Sequence, residues 1–167
     1  MSLRNSFLLA MALVAAVAAS SCSSSNGEAV IDASSQRLVA AVNAKDINGI
    51  MAYYTPDETL LVFDAVTPRQ YLGARAYRKD WEDFLSFYPS AVHADLTDWK
   101  AETDGNLAYG HGIFHTIGPD KDGKTLDMTL RVTDVFKKID GKWLVVHEHV
   151  SWPVDFTTGK PDMTSKP

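Results

Sequence analysis

The sequence predicts an α+β fold, a cone-shaped domain in which a strongly curved antiparallel meander sheet is closed by N-terminal helices. Three observations carry this expectation. Asp-Gly dipeptides stand at 104–105, 122–123 and 140–141, eighteen residues apart each time, between runs of alternating polarity. Glycine accepts the positive φ of tight hairpin turns, so the dipeptides mark three bends joining four strands. Upstream of them apolar residues recur at helical spacing instead. Finally, no proline lies between Pro89 and Pro119 or between Pro119 and Pro153, which leaves both stretches free to pair.

Length and composition bound the rest. At 167 residues the chain fits one domain, and its 46% hydrophobic and 22% charged residues are ordinary globular usage. That excludes a disordered, collagen-like or coiled-coil protein. A net charge of −5 and the lack of a basic run argue against a nucleic-acid partner.

The N-terminus reads as a leader. Arg4 precedes an apolar run of thirteen residues, Phe7 to Ala19. As a helix that run reaches only about 20 Å, short of a bilayer core of about 30 Å. Residues 1–21 therefore read as a signal peptide. The single cysteine, Cys22, follows Ala19-Ser20-Ser21 and resembles the lipidated first residue of a lipoprotein; simple secretion with cleavage after Ala18 is the alternative. Either way the chain is expected outside the cytoplasm, on the periplasmic side of a bacterial membrane through a lipid anchor, or secreted. One cysteine cannot form an internal disulfide.

Residues 22–28 read as a flexible tether, 29–153 as the domain and 154–167 as a C-terminal tail. Ile31, Ser35, Leu38 and Val42 mark one face of a first helix over 28–44. Asp46 is the N-cap of a short second helix carrying Ile47, Ile50 and Met51, which Pro56-Asp57 stops. Thr59 to Phe63 reads as a short buried strand. Tyr77, Trp81, Phe84 and Leu85 share a face of a third helix over 74–87. The four long strands are expected at 92–102, 107–117, 125–137 and 142–152.

The run Leu38-Val-Ala-Ala-Val-Asn-Ala-Lys-Asp-Ile-Asn-Gly-Ile-Met-Ala-Tyr-Tyr54 resembles the first two helices of a ketosteroid isomerase. Asp57-Glu58-Thr59 and Tyr71-Leu72-Gly73 also suit that group. The closing run Asp140-Gly-Lys-Trp-Leu-Val-Val-His-Glu-His-Val-Ser151 is similar to the last hairpin of SnoaL-like proteins. The chain thus resembles the SnoaL-like branch of the nuclear-transport-factor-2-like superfamily, which includes ketosteroid isomerases, limonene epoxide hydrolases and polyketide cyclases. The resemblance implies an apolar cavity for a small molecule and a homodimer formed through the convex sheet face. It implies no single activity, because one fold hosts many.

Alternation then nominates residues. In the third long strand Leu126, Met128, Leu130, Val132, Asp134 and Phe136 share a face, on which Asp134 is the one charged residue. By resemblance it stands where ketosteroid isomerases place an acid that donates to an oxyanion; a carboxylate tied to structural partners is the alternative. Glu148 falls where the related hydrolases and cyclases carry an active aspartate, and alternation places it with Leu144, Val146, Val150 and Trp152. The same alignment points His111, Ile113 and His115 inward. The candidate catalytic set is Asp134, Glu148, His111 and His115. Tyr54, Asp64, Trp81, Phe84, Ile113, Val132, Val150 and Trp152 are candidates for the pocket wall.

The isomerase constellation is incomplete: its helix phenol falls at Leu38, and its general base falls at Val62, two residues from Asp64. The arginine–aspartate pair of the epoxide hydrolases is not evident either. His147 and His149 share a strand face but lack a third ligand at fixed spacing, so no metal and no cofactor is expected. Those two histidines and Arg131 suit an interface or hydrogen-bonded role on the convex face. The expected function is binding of a small apolar or amphipathic molecule, with or without acid–base turnover; a non-catalytic dimeric binding or assembly module is the alternative.

Overall fold

The computed structural model describes residues 26–165, so the leader and the Cys22 lipidation site lie outside the described residues. The first helix, α1, occupies 26–43. It buries the predicted face of Ile31, Ser35, Leu38 and Val42. Helix α2, Ile47–Met51, begins where Asp46 accepts a hydrogen bond from the Asn48 amide at 3.0 Å, which satisfies one of the free donors of a helix start. Strands β1, Leu61–Phe63, and β2, Tyr71–Leu72, precede α3, Ala74–Ser86, which buries Ala74, Tyr77, Trp81 and Leu85.

Four long strands follow: β3 His93–Asp104, β4 Leu107–Pro119, β5 Thr125–Ile139 and β6 Lys142–Ser151. The Asp-Gly dipeptides at 122–123 and 140–141 fall in the bends, and at 104–105 Asp104 ends β3 while Gly105 opens the bend. Asp140 and Gly141, at φ 49° and 80°, form a two-residue loop between paired Ile139 and Lys142. The sheet order is β2-β1-β6-β5-β4-β3. The four-strand meander is antiparallel as expected, but β1 lies parallel to β6 and makes the whole sheet mixed. Three residues carry no periodicity from which that pairing could be read.

Two irregularities bend the long strands. Between Thr97 and Lys100 the β3 register shifts, with Asp98 at φ 52°. In β6, Val145 pairs with Phe136 and His147 with Val135, which leaves Val146 as an extra residue. Such a bulge reverses the inward and outward sense of alternation beyond it. Trp143 and Val145 therefore share the buried side with Glu148, whereas strict alternation placed Leu144 and Val146 there.

The helices pack on the concave side. Tyr53 and Tyr54 follow α2 and are pinned to β6, since the Thr55 amide donates to Val145 O at 2.9 Å and the Val145 amide to Tyr53 O at 3.0 Å. Strand β6 ends opposite Arg131, short of the start of β5. The tail returns there, and the Thr129 amide donates to Met163 O at 2.7 Å. No helix among the described residues is long and apolar enough to cross a membrane.

Candidate functional site

Asp134 on β5 and Glu148 on β6 face each other directly in register, each only 2% exposed. Opposed residues of antiparallel strands hold their Cβ atoms about 5 Å apart. A buried charge is costly unless it is hydrogen-bonded, and tyrosines supply the bonds. Tyr53 donates to Asp134 Oδ2 at 2.8 Å and lies 3.0 Å from the Ser35 hydroxyl on α1. Tyr54 donates to Glu148 Oε2 at 2.9 Å, and Tyr77 of α3 donates to Oε1. The three rings pack edge to face, with centroids 5.3 Å apart for Tyr53–Tyr54 and 5.1 Å for Tyr54–Tyr77.

Burial pushes the Asp134 carboxyl up to about 6, although the Tyr53 and Glu148 hydrogen bonds pull it back. Burial, and then the charge of Asp134, push Glu148 well above the usual carboxyl range. Two neighbouring acids resist a second ionisation, so the pair holds one proton over a wide pH interval. Burial also raises all three phenols, which keeps them protonated as donors.

The pair forms one end of a cavity of about 360 Å³ whose wall includes Leu130, Val132, Phe114, Val150, Trp81 and Trp152. Val66 and Phe87, 46% and 57% exposed, mark its mouth. Three buried polar atoms of the described residues lack any partner: Asp134 Oδ1, Trp81 Nε1 and Trp152 Nε1. All three residues line this one hollow. A second acid pair, Asp64 after β1 and Asp80 on α3, also lines it, and Tyr71 donates to Asp80 Oδ1 at 2.5 Å. Asp64 is raised to about 7 by burial, then by the charges of Asp80 and Glu148.

The structure brings Asp134, Glu148, Asp64, Trp81, Phe84, Val132, Val150 and Trp152 to the cavity. Tyr54 stands behind the wall as a partner of Glu148. His111, Ile113 and His115 do not reach it. Gly110 pairs with Asp134 and Gly112 with Val132, so the even-numbered β4 residues point inward. A one-residue slip exchanges the two faces of a strand. His115 instead sits on the convex face between Asp95, at 3.0 Å, and Asp127, at 2.9 Å. His147 Nδ1 lies 2.9 Å from Leu61 O, and the His147 and His149 rings meet Phe63 edge to face. Among the described residues no cluster of three or more His, Cys, Asp or Glu is arranged to hold a metal ion.

Sequence reasoning missed Tyr53, Tyr77, Asp80, Phe114 and Trp99 as wall or partner residues. A signal for Trp99 existed: a Cβ at Gly110 would collide with its indole, whose Nε1 donates to Asp32 at 3.0 Å. Glycines two residues apart, at 110 and 112 on one strand face, mark close approach across a strand.

Residues 31–155 match a family model described as a SnoaL-like domain. Among solved structures, an NTF2-like protein of unknown function from Pseudomonas putida KT2440 is 29% identical, with a TM-score of 0.76 over 86% of this chain and 98% of that one. A nuclear transport factor 2 superfamily protein from Salmonella enterica is 18% identical, with a TM-score of 0.65 over 77% and 92%. A protein with a cystatin-like fold from Caulobacter vibrioides is likewise 18% identical, with a TM-score of 0.60 over 73% and 86%. No curated protein matches the chain.

Proposed function

The chain belongs to the SnoaL-like domain family, and on that premise we propose that it binds a small, largely apolar, oxygen-bearing molecule and transforms it by acid–base chemistry at Asp134. The observation that supports this most is the convergence of three unpartnered buried polar atoms on one apolar hollow. The indole N–H groups of Trp81 and Trp152 need acceptors, which a ligand carbonyl or hydroxyl supplies. Asp134 Oδ1 is the one carboxyl oxygen of the inner pair left free for the ligand. A carboxyl brought near 6 suits proton transfer near neutral pH. Glu148, held by two phenols, is a positioning residue that sets the charge of Asp134 and need not touch the ligand.

The second reading, a binding module without turnover, is favoured by those same phenols, because they close both Glu148 oxygens and one of Asp134. One experiment separates the two. The protein is dialysed against a mixture of apolar oxygenated compounds, and retained and altered molecules are identified by mass spectrometry. Val132→Trp, which fills the hollow, abolishes retention under either reading. Asp134→Asn abolishes alteration but keeps retention if the acid–base reading holds; alteration that survives Asp134→Asn defeats it. Retention unaffected by Val132→Trp defeats both.

Export belongs to the same proposal, supported by the leader and Cys22. So does a homodimer through the convex face, where Leu107 and Tyr109 are exposed. The intact mass of the mature chain and its mass in light scattering test them; an unprocessed N-terminus or a monomer rejects the respective part.

A further inference from the structure

Resting on the reading that the hollow takes a small molecule, we propose that its occupant is a protonated organic amine with an apolar ring body, the ammonium held at the mouth by Asp64 and Asp80. The cavity wall contains five carboxylic side chains, Asp64, Asp80, Asp83, Asp134 and Glu148. Among the described residues that line it, none is lysine, arginine or histidine. Asp83 is answered by Lys79 on the outer surface, where both side chains are more than half exposed. The groups facing the Asp64–Asp80 pair are Tyr71 from β2, Tyr77, Lys79 and Asp83 from α3, and Glu148 from β6. Lys79 is the one cation of that set, and its Nζ is engaged with Asp83. Asp64 and Asp80 also hydrogen-bond each other, so the pair shares a proton and keeps about one negative charge that no cation of its own balances.

An ammonium supplies that balance, and the wall favours it a second time. The wall also carries the aromatic rings of Trp81, Phe84, Trp99 and Trp152, and aromatic π faces attract cations. A carboxylate or phosphate ligand meets the opposite: two acid pairs and no donor cation. Inside, the free Asp134 Oδ1 and the 92% buried Trp81, whose Nε1 is unpartnered, require a ligand that reaches the floor as well as the mouth. The ring body spans that distance, with an oxygen inside and the amine outside. The elevated Asp64 carboxyl agrees, because after burial its rise comes from the neighbouring acids Asp80 and Glu148, with no cation among the described residues beside it to pull it down.

The test is calorimetric titration at pH 7.5 with three probes on one frame: 2-naphthylmethylamine, 2-naphthalenemethanol and 2-naphthoate. The amine is expected to bind at least about tenfold more tightly than the alcohol, equivalent to about 1.4 kcal/mol, and naphthoate most weakly. Added salt should erode the amine preference and not the alcohol affinity. The Asp64→Asn/Asp80→Asn variant should narrow the amine-to-alcohol ratio to under about threefold. If that variant does not fold, as judged by circular dichroism, the single Asp64→Asn reports the same ratio. An alcohol or naphthoate that binds as tightly as the amine overturns the charge preference while leaving the cavity reading intact. A ratio unchanged in the asparagine variants overturns the placement of the ammonium. Absence of binding by all three probes removes the cavity reading as well.

Discussion

Asp134→Asn should make the protein more stable at neutral pH. The ordinary aspartate value is about 3.9, and in the fold it stands at about 6. Between those values the native state binds more protons than the unfolded chain, so stability falls as pH rises through the window. The shift of about two units corresponds to a loss of about 3 kcal/mol above pH 6. Asparagine retains a carbonyl oxygen for the Tyr53 hydroxyl, and its amide replaces the unpartnered Oδ1 beside Glu148. It carries no charge to bury. It also removes the Asp134 charge that helps to raise Glu148. Urea unfolding, followed by tryptophan fluorescence between pH 4 and 8, measures the effect. The variant should gain about 2–3 kcal/mol at pH 7.5 and almost nothing at pH 4, with a flatter profile between. A variant less stable than the parent at pH 7.5, or one with an unchanged slope between pH 4 and 6, refutes the description of the pair as a buried acid held at a cost.

Tyr77→Phe takes a phenol from Glu148 Oε1 and should cost about 2 kcal/mol in the same urea assay, since a buried acceptor then lacks its donor. A cost under about 0.5 kcal/mol would show that the bond is replaced. Gly110→Ala drives a Cβ into the Trp99 indole and should destabilise by about 1–3 kcal/mol, with a shift in tryptophan emission; unchanged emission and stability would contradict the packing. Once a substrate is in hand, turnover that uses ionised Asp134 as base should rise with pH through about 6, and that limb should vanish in Asp134→Asn. A flat profile would exclude Asp134 as the base.

The parts of the fold governed by local rules were legible. The Asp-Gly spacing located the three bends, and the Ile31-Ser35-Leu38-Val42 face located α1. Alternation along β5 singled out Asp134, because that strand keeps its register across the Gly110 and Val132 neighbourhood. Two events hid the rest. The extra residue Val146 reversed the faces within β6, so the position of Glu148 was right while that of Trp143 and Val145 was not. On β4 the inward placement of His111, Ile113 and His115 came from the alignment with the family, and the strand's own pattern gives no clear cue: its outward face mixes Leu107, Tyr109, Ile113 and Ile117 with His111 and His115, and its inward face mixes Ala108 and Phe114 with Gly110 and Gly112. Gly110 leaves room for the Trp99 ring and Gly112 for Thr97 O, Leu96 and the Trp99 backbone; the two glycines are visible in the sequence, but what they approach shows only once β3 and β4 are side by side. The tyrosine partners were hidden for a similar reason. Ser35, Tyr53 and Asp134 lie on three different elements, and no spacing in the chain relates them.

The returning tail has a consequence for the molecule's behaviour in company. Because β6 stops opposite Arg131, the first residues of β5 would offer bare peptide groups on that flank, a ready template for a strand from another molecule. The Met163 carbonyl occupies part of that flank through the Thr129 amide. A chain shortened after Trp152 should therefore keep its hollow yet turn sticky, clouding at concentrations at which the longer chain stays clear. The last residues are thus expected to guard against self-templated fibres, a duty separate from whatever the cone encloses, and a shortened chain that stays clear would refute it.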